Sequence, residues 1–128
     1  GHDVAREDGT LLSVAELTCR PYKPRSFAYV GDTAVFDGLS DMVKGVDLLY
    51  HEATFGDDCA DKAVQMFHCT ARDAAETALR AGAGRLVIGH FSSRYKDTGV
   101  LLRQAREVFP DTEAGMEGAV FEVPEKNC

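Results

Sequence analysis

The chain has 128 residues, 45% of them apolar and 27% charged, with a net charge of −7. This length and composition suit one globular unit, residues 1–128, with a buried core, and no run approaches the roughly 18 apolar residues of a membrane helix. The acidic balance gives no long-range attraction for nucleic acid, since the basic residues gather only locally, at Arg20, Lys23 and Arg25 and again at Arg94 and Lys96.

The cysteines Cys19, Cys59, Cys69 and Cys128 form no C-x-x-C pair, so reduced thiols in a soluble, cytoplasmic protein are expected. The start, Gly1-His2-Asp3-Val4, has no initiator methionine, and the sequence reads as a fragment in which Gly1 is a tag remnant. Residues 1 to 25 suit short strands and irregular backbone around the turn Glu7-Asp8-Gly9-Thr10, with Pro21 and Pro24 punctuating a loop. From Ser26 onward, short apolar runs alternate with amphipathic segments, the pattern of an α/β protein.

The first run, Phe27 to Val30, predicts a buried strand, followed by Gly31-Asp32-Thr33 and a helix over 34–43. The second, Val46 to Tyr50, leads into His51-Glu52-Ala53-Thr54-Phe55, and a helix is expected over 57–66. Thr70 and Asp73 have the spacing of a capping box, so a helix starts after Thr70, with Ala74, Ala75, Ala78 and Leu79 on one face and Gly82 and Gly84 stopping it. A third strand, Leu86 to Ile88, ends at Gly89-His90; a helix over 100–108 stopped by Pro110 and a last strand over 120–123 complete the series.

Three apolar runs therefore end in polar side chains, at Asp32, at His51 with Glu52, and at His90. The carboxyl edge of an open α/β sheet is where ligands bind, and imidazole and carboxylate are standard zinc donors. Singly, each residue has a plainer reading: a turn aspartate, rim histidines, a solvated glutamate. His68 precedes the capped helix, where the helix dipole favours an anion such as phosphate.

Taken together, Gly31-Asp32-Thr33, His51-Glu52-Ala53-Thr54-Phe55, His68-Cys69-Thr70 and Gly89-His90-Phe91-Ser92-Ser93-Arg94-Tyr95 resemble the ordered motifs of the ribonuclease Z family, with 19, 17 and 22 residues from Asp32 to His51, His68 and His90 in turn. The resemblance covers about residues 4–123 and implies the carboxy-terminal half of a metallo-β-lactamase αββα sandwich, one mixed sheet with helices on its outer face. It implies a zinc-dependent endoribonuclease that removes 3′ trailers from precursor tRNA by phosphodiester hydrolysis, leaving 3′-hydroxyl ends. Asp32 would bridge two zinc ions, His90 would bind one of them, His68 would act at the phosphate with Glu52 orienting it, His51 would support from behind, and Arg94 would contact substrate.

Two departures stand out, Cys69 where the family has serine and Gly89 where it has threonine. The family's H-x-H-x-D-H motif does not occur here. The resemblance therefore implies a partner in the missing amino-terminal half, a homodimer as the assembly, weak zinc binding and no cleavage by the fragment alone. The alternatives are another phosphodiesterase of the same fold, or a noncatalytic half-domain that serves in dimerisation or interaction.

Overall fold

The structure is a computed structural model, and it describes residues 2–18 and 24–123. Arg20, Lys23, Pro21, Cys19 and Cys128 lie outside the described residues. A two-stranded antiparallel ribbon, β1 (Val4–Ala5) and β2 (Leu11–Leu12), opens the chain. It runs into a one-turn helix, α1 (Val14–Leu17), that the sequence reading left as irregular backbone; Ser13 and Glu16 close a reciprocal capping box around it.

The main sheet has the order β3 (Phe27–Val30), β4 (Leu48–Glu52), β5 (Leu86–Gly89), β6 (Thr112–Ala114), and every pairing is parallel. The expected mixed sheet is therefore corrected: among the described residues this sheet has no antiparallel member. Parallel neighbours need crossover connections, and each crossover here contains a helix: α2 (Leu39–Met42), then α3 (Ala60–Gln65) with α4 (Ala71–Ala81), then α5 (Gly99–Val108).

Helices α2, α4 and α5 form one layer, with α4 packed against both others. Ala71, Ala74, Ala75 and Ala78 of α4 are fully buried, and small side chains let the helix lie close to the sheet and to Leu101 and Ala105 of α5. Leu79, expected on that face, is 57% exposed, because the buried stripe runs along the alanines. Thr70 caps α4 through the expected box with Asp73, and Gly82 ends it at φ 63°.

The strand pattern has period two. Ala28, Val30, Leu49, Leu86 and Ile88 join the helix-side core, whereas Phe27, Tyr29, Tyr50 and Val87 point to the opposite face. There Tyr29 stacks on Tyr50 with centroids 4.6 Å apart, yet Phe27 and Tyr29 remain 58% and 66% exposed. The segment after β6 crosses part of this face, leaving a cavity of about 490 Å³ among Tyr50, Val87, Phe91, Met116 and Phe121.

Two further expectations shift. The helix expected over 34–43 is confined to Leu39–Met42, entered through Gly38 at φ 92°, and that over 57–66 divides into a 3-10 turn, Asp57–Cys59, and α3. The strand expected over 120–123 is absent, with Val120 87% exposed; the fourth strand is β6 instead. Thr-Glu-Ala has no apolar run to announce it, and it is held by the β5 ladder, by the Gly115 amide donating to Ile88 (2.7 Å), and by Arg85 pairing with Glu113.

Because the Thr70 hydroxyl accepts from the otherwise unpaired Asp73 amide and donates to the Asp73 carboxylate, Thr70→Ala is expected to destabilise the chain by about 1 kcal/mol in urea denaturation, with little change in the slope of the transition.

Candidate active site at the carboxyl edge of the sheet

The strand register brings the candidate residues together. Val30 pairs with His51, His51 with Ile88, and Glu52 with Gly89, so Asp32, Glu52 and His90 emerge side by side at one edge. His68 arrives from the loop before α4, whose Phe55–Thr70 bridge ties it to the end of β4. Asp32, Glu52, His68 and His90 each offer a donor atom, and those atoms all lie within 4.8 Å of one another.

Asp32 and His90 adopt positive φ, 57° and 60°, a left-handed conformation that turns the chain sharply where each strand stops. Such backbone is disfavoured for residues with a Cβ and gathers at functional sites. It leaves the Asp32 side chain 77% exposed and that of His90 45% exposed.

Glu52 is different. Its side chain is fully buried and its carboxylate accepts five hydrogen bonds: at Oε1 from the Thr33 amide (3.1 Å) and His68 Nδ1 (2.7 Å), at Oε2 from the Thr54 amide (3.0 Å), the Thr54 hydroxyl (2.7 Å) and the Cys69 amide (3.1 Å). Burial pushes this carboxyl up, and the bonds from Thr54, His68 and Cys69 outweigh it, holding Glu52 below the usual glutamate range. With its lone pairs engaged, Glu52 is not free to bind a metal.

The network also assigns the imidazole protons. Thr54 has one hydroxyl hydrogen and gives it to Glu52, so at its 2.9 Å contact with His90 the hydroxyl accepts and Nδ1 of His90 donates. His90 Nε2 then carries a free lone pair, 3.9 Å from Asp32 Oδ1. His68 gives its Nδ1 hydrogen to Glu52, which leaves its Nε2 as the atom for chemistry. Its ring packs edge-on to Phe55 and lies 5.5 Å from that of His90.

The donor set suits a divalent cation in part. Asp32 and the Nε2 of His90 are a carboxylate and a neutral imidazole with open lone pairs, whereas a catalytic zinc takes three protein ligands. Asp32 and His90 are the two whose open donor atoms face each other, since His68 meets the cluster through Nδ1, which is already bonded to Glu52, and Thr54 orients the His90 ring.

Two expected site residues lie apart. His51 is fully buried on the helix side of β4, because adjacent strand residues face opposite ways. Its Nδ1 donates to the Glu52 carbonyl (2.7 Å), Nε2 has no hydrogen-bond partner among the described residues, and burial holds the imidazole below its usual range. Arg94 lies over Cys59, with Nη1 2.5 Å from Sγ, and its neighbour Tyr95 accepts from the Gly56 amide and donates to Asp58, both at 2.8 Å.

The sequence reading missed Thr33 and Thr54, which supply three of the five donors to Glu52. Thr54 carried a signal, a hydroxyl two residues after Glu52, whereas Thr33 donates through its backbone amide and its hydroxyl goes to the Ala34 carbonyl. The two departures also find their settings. The Cys69 thiol donates to the Thr33 carbonyl (3.0 Å) as a serine hydroxyl would, and the Tyr50 hydroxyl occupies the space that a side chain at Gly89 would need.

Cys69 is fully buried, and burial together with the charges of Glu52 and Asp73 pushes its thiol up to about 12. Iodoacetamide at pH 8 is expected to leave Cys69 unmodified in the folded chain while labelling the half-buried Cys59, as peptide mass mapping would read; both react after denaturation.

A family model described as the beta-lactamase superfamily domain matches residues 9–91. The ribonuclease Z of Cytophaga hutchinsonii is 46% identical over 127 residues, 98% of this chain and 41% of that protein. That of Geobacillus kaustophilus is 40% identical over 97% of this chain and 41% of its own length. Among solved structures, the metallo-beta-lactamase fold protein YhfI from Bacillus subtilis superposes with a TM-score of 0.70 at 25% identity, covering 77% of this chain and 40% of that one. Human tRNase Z, short form, gives 0.62 at 32% identity, covering 78% and 34%. The chain thus spans about 41% of the length of the curated relatives it matches. On the family match over 9–91, and on an α/β architecture shared with metallo-β-lactamase-fold structures, the chain belongs to the β-lactamase superfamily.

Proposed function

We propose that these residues form the carboxy-terminal half of a metallo-β-lactamase domain in a ribonuclease Z, a zinc-dependent endoribonuclease that removes 3′ trailers from precursor tRNA in the cytoplasm. The observation that carries this reading is the convergence of Asp32, Glu52, His68 and His90 within 4.8 Å, with Glu52 and His68 joined at 2.7 Å. The relatives named ribonuclease Z, 40–46% identical over nearly the whole chain, support it.

Under this reading, Asp32 and the Nε2 of His90 would be the residues that hold metal. When bound, zinc generates the nucleophile from water at neutral pH and neutralises the phosphoryl oxygens. His68 is fixed on Glu52 through Nδ1, which leaves Nε2 for the substrate, so under this reading it donates a proton to the leaving 3′ oxygen, or a hydrogen bond to the phosphate. Glu52 stabilises the charged imidazolium that delivers that proton.

The two open donors fall short of the three that a catalytic zinc needs, so the remaining ligands come from the missing amino-terminal half. The isolated chain is expected to retain less than one zinc per molecule after dialysis and to leave a precursor tRNA uncut, while the protein completed with an H-x-H-x-D-H segment cleaves it. Stoichiometric zinc by elemental analysis, or specific trailer release by the chain alone, would refute this division. In the completed protein, Glu52→Gln should lower kcat on the precursor by about 100-fold, since a neutral amide does not stabilise the imidazolium charge and its NH2 group faces donors where a carboxylate oxygen accepted.

A second reading, a noncatalytic half-domain that associates with a partner copy, is favoured by the exposed aromatic face of the sheet at Phe27 and Tyr29. The homodimer belongs with it. Sedimentation at micromolar concentration is expected to show a species heavier than the monomer, and a monodisperse monomer would count against it.

A further inference from the structure

Two helices of this chain end in the same way, with different residues at the decisive position. At the end of α4, the Gly82 amide donates to Leu79 (3.1 Å) and the Ala83 amide to Ala78 (3.0 Å), with Gly82 at φ 63°. At the end of α3, the Phe67 amide donates to Val64 (3.3 Å) and the His68 amide to Ala63 (2.9 Å), with Phe67 at φ 58°. Both are Schellman closures, in which the left-handed position is ordinarily glycine because a Cβ crowds the backbone there. A bulky aromatic is among the least suited residues.

Burial does not compensate the fold for this choice, since Phe67 is 75% exposed. Among the described residues its ring enters neither the buried core nor any ring contact. It is nevertheless directly joined to His68, a member of the cluster at the candidate site, and the closure that strains Phe67 also fixes the His68 amide. Met66 beside it is 55% exposed, and Lys62, one turn earlier, places its ammonium 5.7 Å from the ring centroid of Phe55, which packs on His68.

We infer that Phe67 is a stacking platform for an unpaired nucleobase next to the phosphate that His68 attends. The inference deepens the reading of the site as an RNA phosphodiesterase and rests on it. An exposed ring offers a base a π-face without sequence preference, which suits single-stranded RNA leaving an acceptor stem. The overall charge of −7 makes the role more useful, because an acidic chain gains less from phosphate attraction and more from stacking.

The chain contains no tryptophan, so Phe67→Trp introduces a single reporter. Titrating it with an acceptor-stem minihelix bearing an unpaired 3′ tail, at low salt, is expected to quench its fluorescence, whereas a blunt duplex of the same length quenches it less. In direct binding of the minihelix, Phe67→Leu and Phe67→Gly are expected to weaken affinity by about 5- to 100-fold, and Phe67→Tyr to restore it. Phe67→Gly should meanwhile raise the melting temperature by a few degrees, since it relieves the left-handed strain.

A lower melting temperature in Phe67→Gly would overturn the proposal by making the ring structural. So would equal affinity of all variants, or failure of the wild-type chain to bind the minihelix. Loss of self-association in Phe67→Gly with RNA binding unchanged would replace it with a protein contact. If position 67 has no effect while the completed protein still cuts precursor tRNA, the stacking role fails and the phosphodiesterase reading survives; if no precursor is cut, the broader reading fails.

Discussion

The arrangement of the site depends on one buried charge. Removing a carboxylate from water is costly by several kcal/mol unless its lone pairs are filled, and Glu52, with no exposed surface, fills them with five donors. Those donors come from three places in the chain: Thr33 after β3, Thr54 after β4, and His68 with Cys69 before α4. The need to satisfy one anion therefore ties three loops into one geometry. Only one of the donors, His68, is titratable, so the stabilisation is chiefly a matter of fixed dipoles, which need no reorganisation when charge moves nearby.

The parallel sheet makes that convergence possible. Consecutive parallel strands in register deliver their carboxyl ends to one line, and the chain leaves two of them through left-handed residues, Asp32 and His90. The strain is tolerated because both neighbours are anchored: Thr33 donates to Glu52, and Gly89 is sealed under Tyr50. Period two then separates the roles of adjacent residues. His51 and Glu52 stand side by side in sequence, yet one faces the helices and the other the site.

What the sequence disclosed follows the same physics. Strands β3, β4 and β5 could be read because parallel strands covered by helices are continuous apolar runs, and the capping box at Thr70 and Asp73 is a local chemical signal. Strand β6 could not, since Thr112, Glu113 and Ala114 are held by a neighbour's backbone rather than by their own apolarity. The four site residues could be named from motif resemblance, but their division of labour could not. Whether a glutamate binds metal or anchors a histidine depends on how many hydrogen bonds it already accepts, and that count needs the positions of Thr33, Thr54 and Cys69 in space.

The count also separates what this chain supplies from what it does not. If Glu52 were a ligand, it would join Asp32 and His90 as a third donor, the number that a catalytic zinc takes. Because Thr54 commits its only hydroxyl hydrogen to Glu52, Glu52 is closed to metal and His90 is left with Nε2 open toward Asp32. The same proton thus removes one donor and prepares another. Within these residues Glu52, Thr54 and His68 are held by one another while two open donors face each other, and under the proposed function the remaining metal ligands would be contributed from elsewhere.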